Sequence, residues 1–309
     1  MNNAMTLPRL AIAASAAAFT LGASQLAHAQ DASTSNRAPI SEPSSPSQGL
    51  PVQYVERPLT LPEMTLAPEF GASVTHLEFS AFGGSFAANL INLNAGASFG
   101  IIDDLTAYVV PLVMTIGTAS GADPDIAYGT FRLGAIYRFL KTEVADIGAQ
   151  LEFGATGSVD LIHLTGKLPI LLRLGDIVRI DTGVALSGFF PVNGGNAAGG
   201  LAGISSSPTQ AGVATAGLPV DVAFQVAEPV FLGINTGLGI ANFEKAGDSL
   251  FSPLGAFVGG TVASEDKALL DIKGTFSFPY FLIGSDPEPP LTNAWTVGLD
   301  ARAYIDLGG

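Results

Sequence analysis

From Trp295 to Leu307 the chain alternates without a break. Trp295, Val297, Leu299, Ala301, Ala303, Ile305 and Leu307 are apolar, and the residues between them, Thr296, Gly298, Asp300, Arg302, Tyr304 and Asp306, are polar or small. A period of two sends successive side chains to opposite faces of an extended strand, whereas a helix repeats every 3.6 residues. The same pattern holds for Val178, Ile180, Thr182, Val184 and Leu186, and for Ile147, Ala149, Leu151 and Phe153. Twelve such runs follow one another, near 64–76, 87–101, 105–116, 128–140, 146–157, 161–174, 177–189, 216–227, 230–241, 254–263, 268–281 and 294–307. Most hold about 10 to 14 residues, enough to cross a bilayer at a tilt. Strands of soluble domains are nearer five or six.

Alternation alone does not separate a membrane barrel from a soluble sandwich, so other features decide. Only 13% of residues are charged, mean hydropathy is +0.41, and the polar faces carry Gly, Ser, Thr and Asn instead of a Lys/Glu coat. Connections alternate in length. Tight turns are predicted at Asp103-Asp104, Lys141–Ala145, Gly175-Asp176, Glu228-Pro229 and Ser264–Lys267, with longer connections at the other end. Outward aromatics sit near strand ends, Phe99, Phe139 and Phe224 at the short turns and Phe278, Tyr280 and Trp295 opposite. An even number of long strands, short turns at one end and aromatic girdles together describe an all-β, antiparallel up-and-down transmembrane barrel of about twelve strands.

The flanking segments are of other kinds. Residues 1–29 carry one charge, Arg9, an Ala/Leu-rich stretch and Ala27-His28-Ala29, the pattern of a secretory signal cleaved between Ala29 and Gln30. Residues 30–62 are rich in Ser and Pro and are expected to form a disordered periplasmic tether, leaving 63–309 as the barrel. With no Cys, disulfides and thiolate sites are excluded. Lys+Arg is 13 against Asp+Glu 27, so nucleic acid is not an expected partner.

Gly96-Ala97-Ser98-Phe99-Gly100-Ile101-Ile102-Asp103-Asp104-Leu105, with Pro111 beyond, resembles the strand–turn–strand repeat of Gram-negative outer-membrane β-barrel proteins. Phe131 to Phe139 fits the next such strand, while Ile102 departs from the Thr often found there. The resemblance implies a porin- or channel-like barrel in the outer membrane, with the lipid bilayer and the barrel-assembly machinery as partners. Such barrels commonly end in an aromatic residue, a place taken here by Leu307.

Strand parity then sorts the charges. It points Arg132, Arg138, Lys167, Arg173, Arg179, Lys273 and Arg302 inward, together with Glu69, Glu152, Asp181, Asp221, Asp271, Asp300 and Asp306. Seven cations face seven anions, and no charge falls on the lipid face, where it would cost about 2–4 kcal/mol. Those residues, Asp306 apart, are the candidate pore lining. Side chains pairing across a narrow barrel would give the same balance without a pathway.

Twelve strands lie between barrels filled by their own side chains and open porins, so a narrow pore for ions or small solutes is expected. Inward glycines and serines (Gly96, Ser98, Gly183, Ser187, Gly233, Gly237) are expected to leave room in it. A non-conducting envelope barrel that meets partners through its loops is the other reading. The uncharged connection 190–215 is expected to fold over or into the lumen. His76 and His163 show no triad or metal-ligand spacing, and Asp123-Pro124-Asp125 and Asp286-Pro287-Glu288 read as solvated loop tips. No catalytic set, metal site or cofactor is therefore expected.

Overall fold

The computed structural model describes residues 49–81, 84–119, 124–156, 161–192, 213–243, 249–283 and 293–308. Its strand segments are β1 (Thr65–Ala81), β2 (Gly84–Ile102), β3 (Leu105–Ala119), β4 (Asp125–Tyr128), β5 (Thr130–Lys141), β6 (Ala145–Thr156), β7 (Leu161–Leu174), β8 (Val178–Pro191), β9 (Val213–Ala227), β10 (Val230–Ile240), β11 (Leu250–Ser264), β12 (Lys267–Ile283), β13 (Ala294–Ala303) and β14 (Ile305–Asp306). Successive long strands pair antiparallel, and β13 returns to β1 through nine residue pairs from Glu69↔Arg302 to Leu77↔Ala294. Segment β4 lies along β3 as an extension of β5, interrupted only by Gly129, and β14 extends β13 along β1. The fourteen segments therefore make twelve staves of one closed barrel. Closure removes the unpaired backbone edges that an apolar solvent could not satisfy.

The faces follow the predicted parity. Outward residues such as Phe70, Leu151, Leu186, Val258 and Leu299 are exposed, while inward neighbours such as Asn92, Gln150, Glu152, Asp181 and Asp271 are buried. Apolar outside and polar inside is the reverse of a soluble core, and it is the arrangement a bilayer selects. All five predicted tight turns fall at one end, between β2 and β3, β5 and β6, β7 and β8, β9 and β10, and β11 and β12. The last places Glu265 and Asp266 both at positive φ, 53° and 62°, as a two-residue hairpin turn of right-handed twist requires. At the opposite end His76 stacks on Trp295 across the β1–β13 pair, with ring centroids 5.3 Å apart.

One expectation is corrected. Residues 49–62 do not extend from the barrel as a tether but are packed inside its short-turn end. Leu50, Val52, Tyr54, Val55, Leu59 and Leu61 are all buried, with a 3-10 turn over Tyr54–Glu56. Six large apolar side chains in fourteen residues are more than a disordered segment carries, and the lumen supplies the surface that buries them. The proposed signal, residues 30–48, and residues 193–212 of the long connection lie outside the described residues.

Candidate functional site

The inner segment follows the wall in strand order. Ala268 of β12 donates its N–H to the carbonyl of Leu50 at 2.9 Å. The Tyr54 ring stacks on Phe231 of β10, centroids 4.1 Å apart, and Val55 N–H donates to the Gln225 amide oxygen of β9 at 3.2 Å. Arg179 of β8 donates to the carbonyls of Tyr54 and Arg57, at 3.2 and 3.0 Å. Arg173 of β7 reaches the same Arg57 carbonyl at 3.0 Å. Leu59 N–H then meets the Asp146 carboxylate of β6 at 3.1 Å, Leu61 N–H meets Thr106 of β3 at 2.7 Å, and the Thr60 hydroxyl donates to the Asp103 carbonyl at 2.6 Å.

Arg57 is the centre of this arrangement and is fully buried. Its guanidinium is paired with Asp271, including a bond from Nη2 to Oδ1 of 2.9 Å, and donates to Thr261 Oγ1 at 2.8 Å and Tyr304 Oη at 3.3 Å. Asp271 also accepts from the hydroxyls of Thr261 and Tyr304, each at 2.7 Å. Carbonyls of Pro51 and Val52 take further guanidinium protons. A buried charge is tolerated only when paired and hydrogen-bonded in this way.

The thirteen charged residues expected to line a pore all face inward, but the structure divides them. Arg138, Arg173, Arg179 and Asp181 belong to the short-turn mouth. Arg138 binds Asp104 at 2.6 Å and reaches Asp146 at 3.4 Å; Arg173 meets Asp146 at 2.9 Å; Arg179 is forked onto Asp181 at 2.7 and 2.9 Å. Asp221 stands opposite Asp181 in the β8–β9 register. The three arginines bond to Asp146 and Asp181, to the Asp103-Asp104 turn and to the inner segment, so they brace the mouth.

Glu69, Arg132, Glu152, Asp271, Lys273, Asp300 and Arg302 instead line a narrow cavity above the segment, floored by Tyr54 and Phe231. Two rows of charge cross its β12–β13–β1 wall. Asp271, Arg302 and Glu69 are register partners in the first, and Lys273 and Asp300 in the second. The second continues over Gly71 to Asn94, and a Cβ at Gly71 would collide with the Asp300 and Asn94 side chains. Across the lumen Glu152 accepts from Tyr108 Oη at 2.8 Å and lies 3.2 Å from His163 Nε2, with Lys167 and Arg132 in electrostatic range.

The expected room at inward glycines is partly taken. A Cβ at Gly233 would strike the Phe257 ring, one at Gly259 the Phe231 ring, and one at Gly134 the Tyr108 phenol. A ring on each adjacent strand lies flat across the missing side chain, so these glycines seat aromatic rings against the wall. Sequence reading missed Arg57, Tyr54 and this packing. The available signal was the apolar run Leu50, Val52, Tyr54, Val55, Leu59 and Leu61, denser than anything in residues 30–48.

No protein-family model matches the sequence, and no curated protein matches it either. Among solved structures the barrel is similar to an outer-membrane channel, COG4313, from Pseudomonas putida F1, with a TM-score of 0.55 at 11% identity over 80% of this chain and 97% of that one. Others are the monoaromatic hydrocarbon channel CymD, with a TM-score of 0.42 at 6% identity over 80% and 90%, and the translocator domain of the autotransporter NalP from Neisseria meningitidis, with 0.45 at 10% over 78% and 87%. At such identities the likeness is one of fold, that of outer-membrane barrels.

Proposed function

We propose that the protein is an outer-membrane channel for ions or small solutes, exported with a cleaved signal and carrying its short-turn end on the periplasmic side. The observation that supports this most is the charge-lined cavity inside a closed barrel whose outer surface is apolar. Charged side chains in a membrane protein are kept where water or a polar solute is met. The periplasmic mouth is crossed by residues 49–62, so conduction is restricted there, and deletion of residues 50–60 widens the path. Single-channel recording in planar bilayers tests this. Discrete conductance steps that grow on the deletion are expected; a folded barrel that stays silent with and without the segment would refute the channel.

The segment also favours a second reading, a barrel that does not conduct and serves as an envelope or partner-binding protein. A silent deletion variant is the result that reading requires. Insertion in either case is expected to use the barrel-assembly machinery.

A further inference from the structure

We propose that Arg57 is the bolt of the inner segment, and that a small solute bearing a guanidinium or primary ammonium group draws it back by taking its place on Asp271. The inference rests on the channel reading and names the ligand class and regulation of that same lumen.

Three observations converge on Arg57. Its backbone carbonyl is held by Arg173 and Arg179 on β7 and β8, while its guanidinium is held by Asp271 and Tyr304 on the β12–β13 side. In the ring of twelve staves those two positions are five apart, nearly opposite, so this one residue ties facing walls together across the mouth.

Asp271, secondly, has two roles at once. It anchors the guanidinium from below and is part of the lining of the cavity above. The carboxylate thus borders the segment on one side and the cavity on the other. Tyr54, in the cavity floor, lies beneath the Arg57 and Arg179 guanidiniums at 5.6 and 4.9 Å from its ring centroid, so the floor and the bolt move as a unit.

Charge on this wall supplies the ligand class. On this wall Asp271 stands beside Arg302, and Asp300 beside Lys273, while the Arg57 guanidinium is what takes Asp271 with two prongs. If Arg57 withdraws, the buried Asp271 carboxylate loses its two-pronged cationic partner, a costly state in a low-dielectric lumen. A monocationic solute restores the balance; a neutral or anionic one does not. The planar guanidinium reproduces the two-pronged pairing with a carboxylate best, and a primary ammonium matches the charge alone.

Planar-bilayer recordings on the full chain test the proposal, with methylguanidinium chloride on the long-connection side compared with N-methylurea at equal ionic strength. Methylguanidinium is expected to raise the open probability on the order of tenfold, a shift of 1.4 kcal/mol in the plug equilibrium, and N-methylurea to leave it unchanged. Arg57→Gln should open without added solute, and Arg57→Lys should lie between it and the parent chain. Asp271→Asn, which keeps groups for Thr261 and Tyr304, should open likewise and lose its response to methylguanidinium. Heat-modifiable migration in detergent gels reports whether each variant is folded. If deletion of residues 50–60 is silent, the channel reading fails. If that deletion conducts but folded Arg57→Gln stays closed, Arg57 is not the bolt. Equal responses to the cation and its neutral isostere would overturn solute release.

Discussion

The short-turn mouth and the cavity above it use the same side chains, arginine and carboxylate, in two different ways. At the mouth each carboxylate gathers several donors. Asp146 alone takes bonds from Leu59 N–H, Arg173 and Arg138, and it is fully buried. In the cavity the charges stand in rows along the wall, each register partner of opposite sign, with Glu69, Arg132, Lys273 and Asp300 only half-buried. Clustering closes space, because every donor pulls another chain segment inward. Rows leave it open, because register partners stand side by side along the wall. The difference between a sealed end and a hollow one therefore lies in where partners sit, since composition is alike.

Removing the carboxylate that gathers the β5, β7 and segment donors at the mouth should break this comparison most strongly. Asp146→Ala leaves the buried Arg138, the half-buried Arg173 and the Leu59 amide without their shared acceptor, and removal of one partner from a buried pair typically costs about 3–5 kcal/mol. Urea unfolding of the folded barrel in detergent should show a loss of that order. Periplasmic-side protease should then cut within residues 49–62, which the parent chain protects. Unchanged stability would mean that Asp104, already bound to Arg138, carries the mouth instead.

The strands and turns were legible because each is encoded locally. Thirteen alternating residues from Trp295 state a strand on their own, and Glu265-Asp266 stands where a tight turn must be. Parity was local too, which is why the expected inward charges within the long strands face inward, whereas Asp306, at the rim, is exposed. The inner segment was hidden for the opposite reason. Ser and Pro dominate residues 30–48, and the segment's apolar residues keep no single period from Leu50 to Leu61, since their partners belong to many different strands. The flat rings over Gly134, Gly233 and Gly259 were unreadable likewise, as register between neighbouring strands decides which ring meets which glycine.

Charge removal in the cavity should alter selectivity more than stability. Arg132, Lys167 and Arg302 come from both walls of the lumen, and replacing all three with Gln leaves the acids Glu69, Glu152 and Asp300 in excess. Reversal potentials in a salt gradient should move toward cation preference in any variant that conducts, and most clearly once residues 50–60 are deleted. If selectivity is the same before and after, these side chains do not border the path and the rows serve only to neutralise each other.

The smallest effect is expected where an ion pair looks best placed to hold the segment. Lys267 begins β12 and packs over Gly49, at the point where the segment enters the mouth, and its ammonium lies 3.8 Å from Asp306. Both side chains are well exposed, 44% and 32%, so water screens the pair and about 0–1 kcal/mol is the usual contribution. What ties the segment to β12 at this point is backbone, the Ala268 N–H on the Leu50 carbonyl and the bridge between Pro51 and Lys267, which no side-chain change removes. Lys267→Gln should therefore keep the parent unfolding midpoint, protease protection and conductance at low and high salt. A Lys267→Gln variant that opened the mouth would move the hold on the segment from the buried Arg57 pairing to its entry point, and the contrast between a buried latch and a solvated rim would have to be redrawn.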